Sequence, residues 1–152
     1  MSSMQELDPA VAPAWFDWAQ SHPGRSRFVE VGGRRLHYLE WGAAADGAPV
    51  LLLVHGMRGH AHWWDGIAPF FCEGYRVVAL DLSGMGDSDP RPQYPNDYGA
   101  LDIVDLIERA ALGPVIGIGH SYGGSRLLRA CADRPDLFKR LVVLDSFLLL
   151  PD

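Results

Sequence analysis

Four short apolar runs recur along the chain: VLLLV at 50–54, YRVVALD at 75–81, PVIGIG at 114–119 and RLVVLD at 140–145. Runs this long without polar alternation fit strands covered on both faces, as in a mostly parallel sheet. Between them lie segments of helical character, so strand and helix alternate and right-handed crossovers are expected. The expected fold class is α/β, with helices flanking the sheet.

Two further runs, FVEV at 28–31 and RRLHYLEW at 34–41, flank Gly32 and Gly33. Alternating apolar and polar residues around a Gly-Gly pair signal an antiparallel hairpin at the start of the sheet. Residues 1–27, with AWFDWAQ followed by a Pro-Gly turn, read as an amino-terminal arm, and 28–152 as one domain. HWWDGIAPFFCEG at 62–74 carries Gly66 and Pro69 and is expected to form a short or kinked helix. From Asp97 to Leu112 a helix is predicted whose apolar face carries Leu101, Val104, Ile107 and Ala111, stopped by Gly113 and Pro114. YGGSRLLRACADR at 122–134 predicts another, ended by Pro135.

Composition narrows the functional classes. With 152 residues, 48% of them hydrophobic and 21% charged, the chain has the make-up of an ordinary globular domain. A net charge of −6 repels phosphate backbones and no basic stripe offsets it, so nucleic acid is not an expected partner. No apolar run approaches the roughly 20 residues that span a bilayer, so no membrane crossing is expected. The opening MSSMQELDPAVAPAW lacks a basic region and an apolar core, which argues against a secretory signal and for cytoplasmic residence. Cys72 and Cys131 read as reduced core residues, and no metal is implied.

The most informative stretch is GIGHSYGGS at 117–125. Gly119, His120, Ser121, Tyr122 and Gly123 match G-x-S-x-G between a predicted strand and a predicted helix, the context that a nucleophilic serine on a sharp turn requires. Small neighbours permit the turn, and the start of the helix aims backbone N–H groups at the serine. The plainer reading is a serine capping a helix. A dinucleotide site is excluded, since Tyr122 falls where G-x-G-x-x-G needs its third glycine.

At this point the sequence resembles the α/β-hydrolase family. VLLLVHG is similar to that family's third strand and His-Gly loop, VVALDLSGMGDSD to its fourth strand and following loop, and LVVLDS to its sixth strand. The resemblance implies Ser121 as nucleophile, with the backbone N–H groups of Met57 and Tyr122 as the oxyanion hole. It implies no cofactor and a small-molecule acyl substrate, with His55, Gly56, His120 and Trp63 as candidates for lining its site. Serine at 121 argues against haloalkane dehalogenases and epoxide hydrolases, whose nucleophile there is a carboxylate.

The resemblance also implies a late histidine as the base, and none of His22, His37, His55, His60, His62 or His120 follows Ser121. Asp145, at the end of the sixth strand, is the candidate acid, whereas Asp81 reads as a carboxylate that organises its loop. His60 and His62 lack a third ligand at metal-binding spacing. About six of the family's eight strands are accounted for, so the fold reads as a truncated α/β-hydrolase without the lid. An exposed sixth-strand edge would then invite a complementing chain or self-association. Two functions are expected to compete: an acyl-cleaving serine hydrolase whose isolated chain is inactive, and a non-catalytic binding module or decayed gene product.

Overall fold

The structure, a computed structural model, describes residues 12–42 and 47–147. The first part of the arm, the middle of the 42–49 loop and the final LLLPD segment at 148–152 lie outside the described residues. Six strands form one sheet: β1 (Arg25–Val31), β2 (Arg34–Trp41), β3 (Val50–Val54), β4 (Arg76–Leu80), β5 (Val115–His120) and β6 (Phe138–Leu144). Their order across the sheet is β1-β2-β4-β3-β5-β6. β2 runs antiparallel to its neighbours β1 and β4, whereas β4, β3, β5 and β6 run parallel. The expected hairpin-then-parallel architecture is the one observed.

The hairpin turn follows from its two glycines. Val31 pairs with Arg34, leaving only Gly32 and Gly33 as loop, both at positive φ (55° and 79°). A two-residue turn with left-handed conformation at both positions matches the twist of the strands it joins. β1 begins at Arg25, three residues before the expected FVEV, because its pairing with β2 continues to Arg25↔Glu40.

Alternation across the pleat assigns the core to two faces. Leu52, Val54, Val78 and Leu80 pack beneath helices α2 (Tyr98–Arg109) and α3 (Tyr122–Asp133). Leu51, Leu53, Val77 and Ala79 pack with Ala61, Trp64 and Ala68 on the other face. Burying each such Leu or Val is worth about 1.5–3 kcal/mol, so β3, buried at all five positions, anchors the fold.

Three expectations need correction. The 62–74 segment forms two 3-10 turns, Ala61–Trp64 and Ala68–Phe71, rather than one helix, since Pro69 and Gly66 interrupt continuous hydrogen bonding. On α2 the buried face carries Ala100, Asp102, Ile103, Leu106 and Ile107, while Leu101 and Ala111 are exposed. Ile107 and the partly buried Val104 do face the core, but the apolar spacing misplaced the rest of the stripe because a buried aspartate belongs to the true face. The expected core strand at 140–145 lies at the sheet edge, and no residue of β6 is fully buried.

That aspartate ties α2 to the 81–91 loop. Asp102 accepts hydrogen bonds from the Ser83 N–H and hydroxyl, both at 2.8 Å, and pairs with Arg91 at 2.6 Å and Arg34 at 3.1 Å. A buried charge persists only when so paired. A seven-residue helix, α1 (Ala14–Gln20), precedes the sheet and rests against the second 3-10 turn, with Trp18 and Phe70 rings 4.7 Å apart.

Candidate active site

Parallel strands β3, β4 and β5 end together, and the loops leaving them meet at one rim. Ser121 follows β5 directly and precedes α3. Its φ is +50° and its ψ −119°, a conformation costly for any residue with a Cβ. Three glycines make it achievable. A Cβ on Gly119 would lie 2.7 Å from the backbone of Gly124, and one on Gly123 2.5 Å from the Val54 carbonyl oxygen. One on Gly124 would collide with the Ser146 hydroxyl. The close packing of α3 against β3 and β5, not merely the turn, excludes side chains here.

The end of β6 braces the same corner. The Ser121 N–H donates to the Leu144 carbonyl at 2.9 Å, and the Ser146 hydroxyl donates to the Ser121 carbonyl at 2.7 Å. Sequence reasoning missed Ser146, since nothing in its local pattern marks a contact 25 residues distant. The Ser121 hydroxyl makes no hydrogen bond among the described residues and does not cap α3.

Opposite it stands the turn Gly56–Gly59, closed by the Gly59 N–H donating to the Gly56 carbonyl at 3.0 Å, with Arg58 at φ +61°. A Cβ on Gly56 would lie 3.4 Å from the Ser121 Cβ and 3.0 Å from His120 Nδ1, so the turn is pressed against the serine. Neither the Met57 nor the Tyr122 N–H donates to a described residue. The Met57 side chain is exposed.

His55 is fully committed. Its Nδ1 donates to the Gly56 carbonyl at 2.7 Å and its Nε2 accepts from the Leu82 N–H at 3.3 Å. That arrangement requires the neutral ring, and burial pushes its pKa below the ordinary value, outweighing the Gly56 carbonyl and Asp81. His120 is half-buried and stacks on Trp63, with centroids 5.2 Å apart and planes at 24°, and its buried Nδ1 has no partner among the described residues. Asp145 is exposed at φ +46°, just past β6.

Asp81 does organise its loop, and more than the sequence indicated. Its carboxylate accepts from the N–H groups of Ala61 (2.5 Å) and Asp87 (2.9 Å) and from His37 Nδ1 (2.7 Å). Burial alone would raise its pKa, but the hydrogen bonds from His37, Asp87 and Ala61 hold it below the ordinary value. A Cβ on Gly86 would overlap that carboxylate. His62 bonds Asp65 at 2.8 Å, and among the described residues no group of three His, Cys, Asp or Glu side chains could hold a metal ion. Cys72 and Cys131 are both free thiols. No described helix is long and apolar enough to cross a membrane. A groove of about 680 Å³ lined by Trp18, Arg25, Glu40, Trp41 and Phe70 lies where β2 meets the start of β4, at the far end of the sheet from Ser121.

This arrangement of strand, elbow and rim has counterparts. The family model of the alpha/beta hydrolase fold matches residues 49–152. The chain belongs to the α/β-hydrolase fold family. It is 34% identical over 116 residues to a soluble epoxide hydrolase of Corynebacterium sp., covering 76% of this chain and 39% of that protein. It is also 34% identical over 114 residues to the (E)-2-((N-methylformamido)methylene)succinate hydrolase of Acinetobacter baylyi, covering 74% of this chain and 42% of the relative. The solved 2-hydroxy-6-oxo-6-phenylhexa-2,4-dienoate hydrolase of Rhodococcus sp. superposes with a TM-score of 0.73 at 26% identity, over 81% of this chain and 46% of that one. The α/β-hydrolase chain described here thus spans about two fifths of the curated relatives it matches.

Proposed function

We propose that this α/β-hydrolase chain carries the nucleophile and oxyanion donors of a serine hydrolase that cleaves an acyl bond in a small-molecule substrate. Ser121 attacks the acyl carbon, the Met57 and Tyr122 N–H groups hold the oxyanion, and water releases the acyl group. The observation that supports this most is the strained backbone at Ser121 combined with a hydroxyl that makes no hydrogen bond among the described residues. Strain of this kind costs on the order of 1–3 kcal/mol and persists where function maintains it. Loss of one oxyanion donor costs about a hundredfold to a thousandfold in rate, and main-chain donors such as these tolerate any side chain except proline.

The base is a histidine from outside these 152 residues, in the same polypeptide or a partner meeting the β6 edge. Within the sequence no histidine follows Ser121, and both ring nitrogens of His55 are occupied. Asp145 is the proposed acid, and Gly56, His120 and Trp63 line the acyl site beside the turn. Relatives named as epoxide hydrolases do not redirect the assignment, because residue 121 offers a hydroxyl rather than a carboxylate.

Removing a triad histidine costs on the order of a millionfold, so the 152-residue chain should hydrolyse p-nitrophenyl esters no faster than its Ser121→Ala variant. A polypeptide extended by its downstream coding sequence should hydrolyse them and lose the activity on Ser121→Ala. Full activity in that extended variant would refute the role of Ser121. Serine-dependent turnover by the short chain would refute the external base.

A further inference from the structure

A second serine, histidine and carboxylate lie in line away from Ser121. The Ser26 Oγ is 2.8 Å from His37 Nε2, and His37 Nδ1 is 2.7 Å from Asp81 Oδ2. Strand register accounts for the meeting. Ser26 pairs with Leu39 and Phe28 with His37, so all four side chains leave the same face of the hairpin. Asp81 reaches that face because its N–H donates to the His37 carbonyl at 3.0 Å, extending the β2–β4 ladder by one residue.

The protonation pattern follows from the partners. A carboxylate can only accept, so His37 Nδ1 donates to Asp81, and in the neutral ring Nε2 is then the nitrogen whose lone pair faces the Ser26 hydroxyl. His37 is fully buried and Phe28 packs on its ring at 4.9 Å, which fixes the imidazole, whereas Ser26 is exposed on the edge strand. An oriented base behind an accessible hydroxyl is the arrangement that activates a serine.

We propose that Ser26, His37 and Asp81 form a second serine centre, which takes up an acyl or phosphonyl group from an activated donor. With an aryl ester, Ser26 Oγ bonds to the acyl carbon, the ester C–O bond breaks, and the aryl oxide departs with the electron pair. The hydroxyl proton moves to His37 Nε2, where the Asp81 carboxylate stabilises the imidazolium until solvent takes it. With a fluorophosphonate, the O–P bond forms and fluoride leaves.

The test uses the Ser121→Ala chain, so that failure here is separate from failure of the Ser121 assignment. After treatment with a fluorophosphonate or p-nitrophenyl acetate, peptide mass mapping should find Ser26 modified about a hundredfold faster than the exposed Ser21, the usual size of a general-base effect. Equal modification of the two serines, or none at Ser26, would overturn the proposal. A His37→Gln variant with an unchanged melting profile should lose that preference, and retention of it would count equally against the centre. Should His37→Gln fail to fold, the comparison of Ser26 with Ser21 decides alone.

Discussion

The two serines differ in what surrounds them. Ser121 has a strained backbone, a hydroxyl without a hydrogen bond among the described residues and two nearby N–H groups that donate to no described residue, yet no histidine follows it in the sequence. Ser26 sits in a regular strand with an imidazole and a carboxylate lined up behind it. Aiming a hydroxyl and activating it are thus built by different means. The first needs glycines where elements pack closely, and the second needs strand register. Neither implies the other.

The largest effect should come from the elbow. A methyl at Gly123 would meet the His55 and Val54 carbonyl oxygens, both backbone atoms that cannot yield. Gly123→Ala should therefore cost about 3 kcal/mol or more, read as a fall in the urea midpoint, or prevent folding. A change under 1 kcal/mol would mean that the elbow is looser than the geometry demands.

Substituting each serine by glycine should move stability in opposite directions. Ser26→Gly leaves His37 Nε2 without its partner and weakens a strand, at a cost of about 2 kcal/mol. Ser121→Gly relieves the backbone at φ +50° and should gain about 1 kcal/mol. Urea unfolding of both variants checks the pair, and a shared sign would erase the distinction drawn between them.

The smallest effect is with acid. His55 has a pKa lowered by burial, so the unfolded chain binds a proton that the folded chain refuses. The stability this provides is complete above the ordinary value of 6.5 and is lost as pH falls from there towards the folded value. Urea midpoints measured between pH 7.5 and 5.5 should decline, and His55→Gln should flatten the slope. An unchanged slope would remove His55 from the support of the 56–59 turn.

Much of this was legible in the residues. Uninterrupted apolar runs gave the parallel strands, Gly32 and Gly33 the hairpin, and G-x-S-x-G between strand and helix the corner at Ser121, because each rests on local sterics and period. What escaped were polar contacts across long separations. Asp102 disguised the buried face of α2, Ser146 braces Ser121 from 25 residues away, and His37 meets Asp81 across 44. Apolar periodicity carries no information about which buried charge finds which partner.

The sequence by itself determined the α/β alternation and where a strained serine could occur, since backbone conformation and burial depend on neighbours a few residues apart. Only the tertiary structure decided which imidazoles are committed, which N–H groups find no partner among the described residues, and that Ser26 shares a face with His37. Those depend on strand order and register, which bring distant residues within hydrogen-bonding reach.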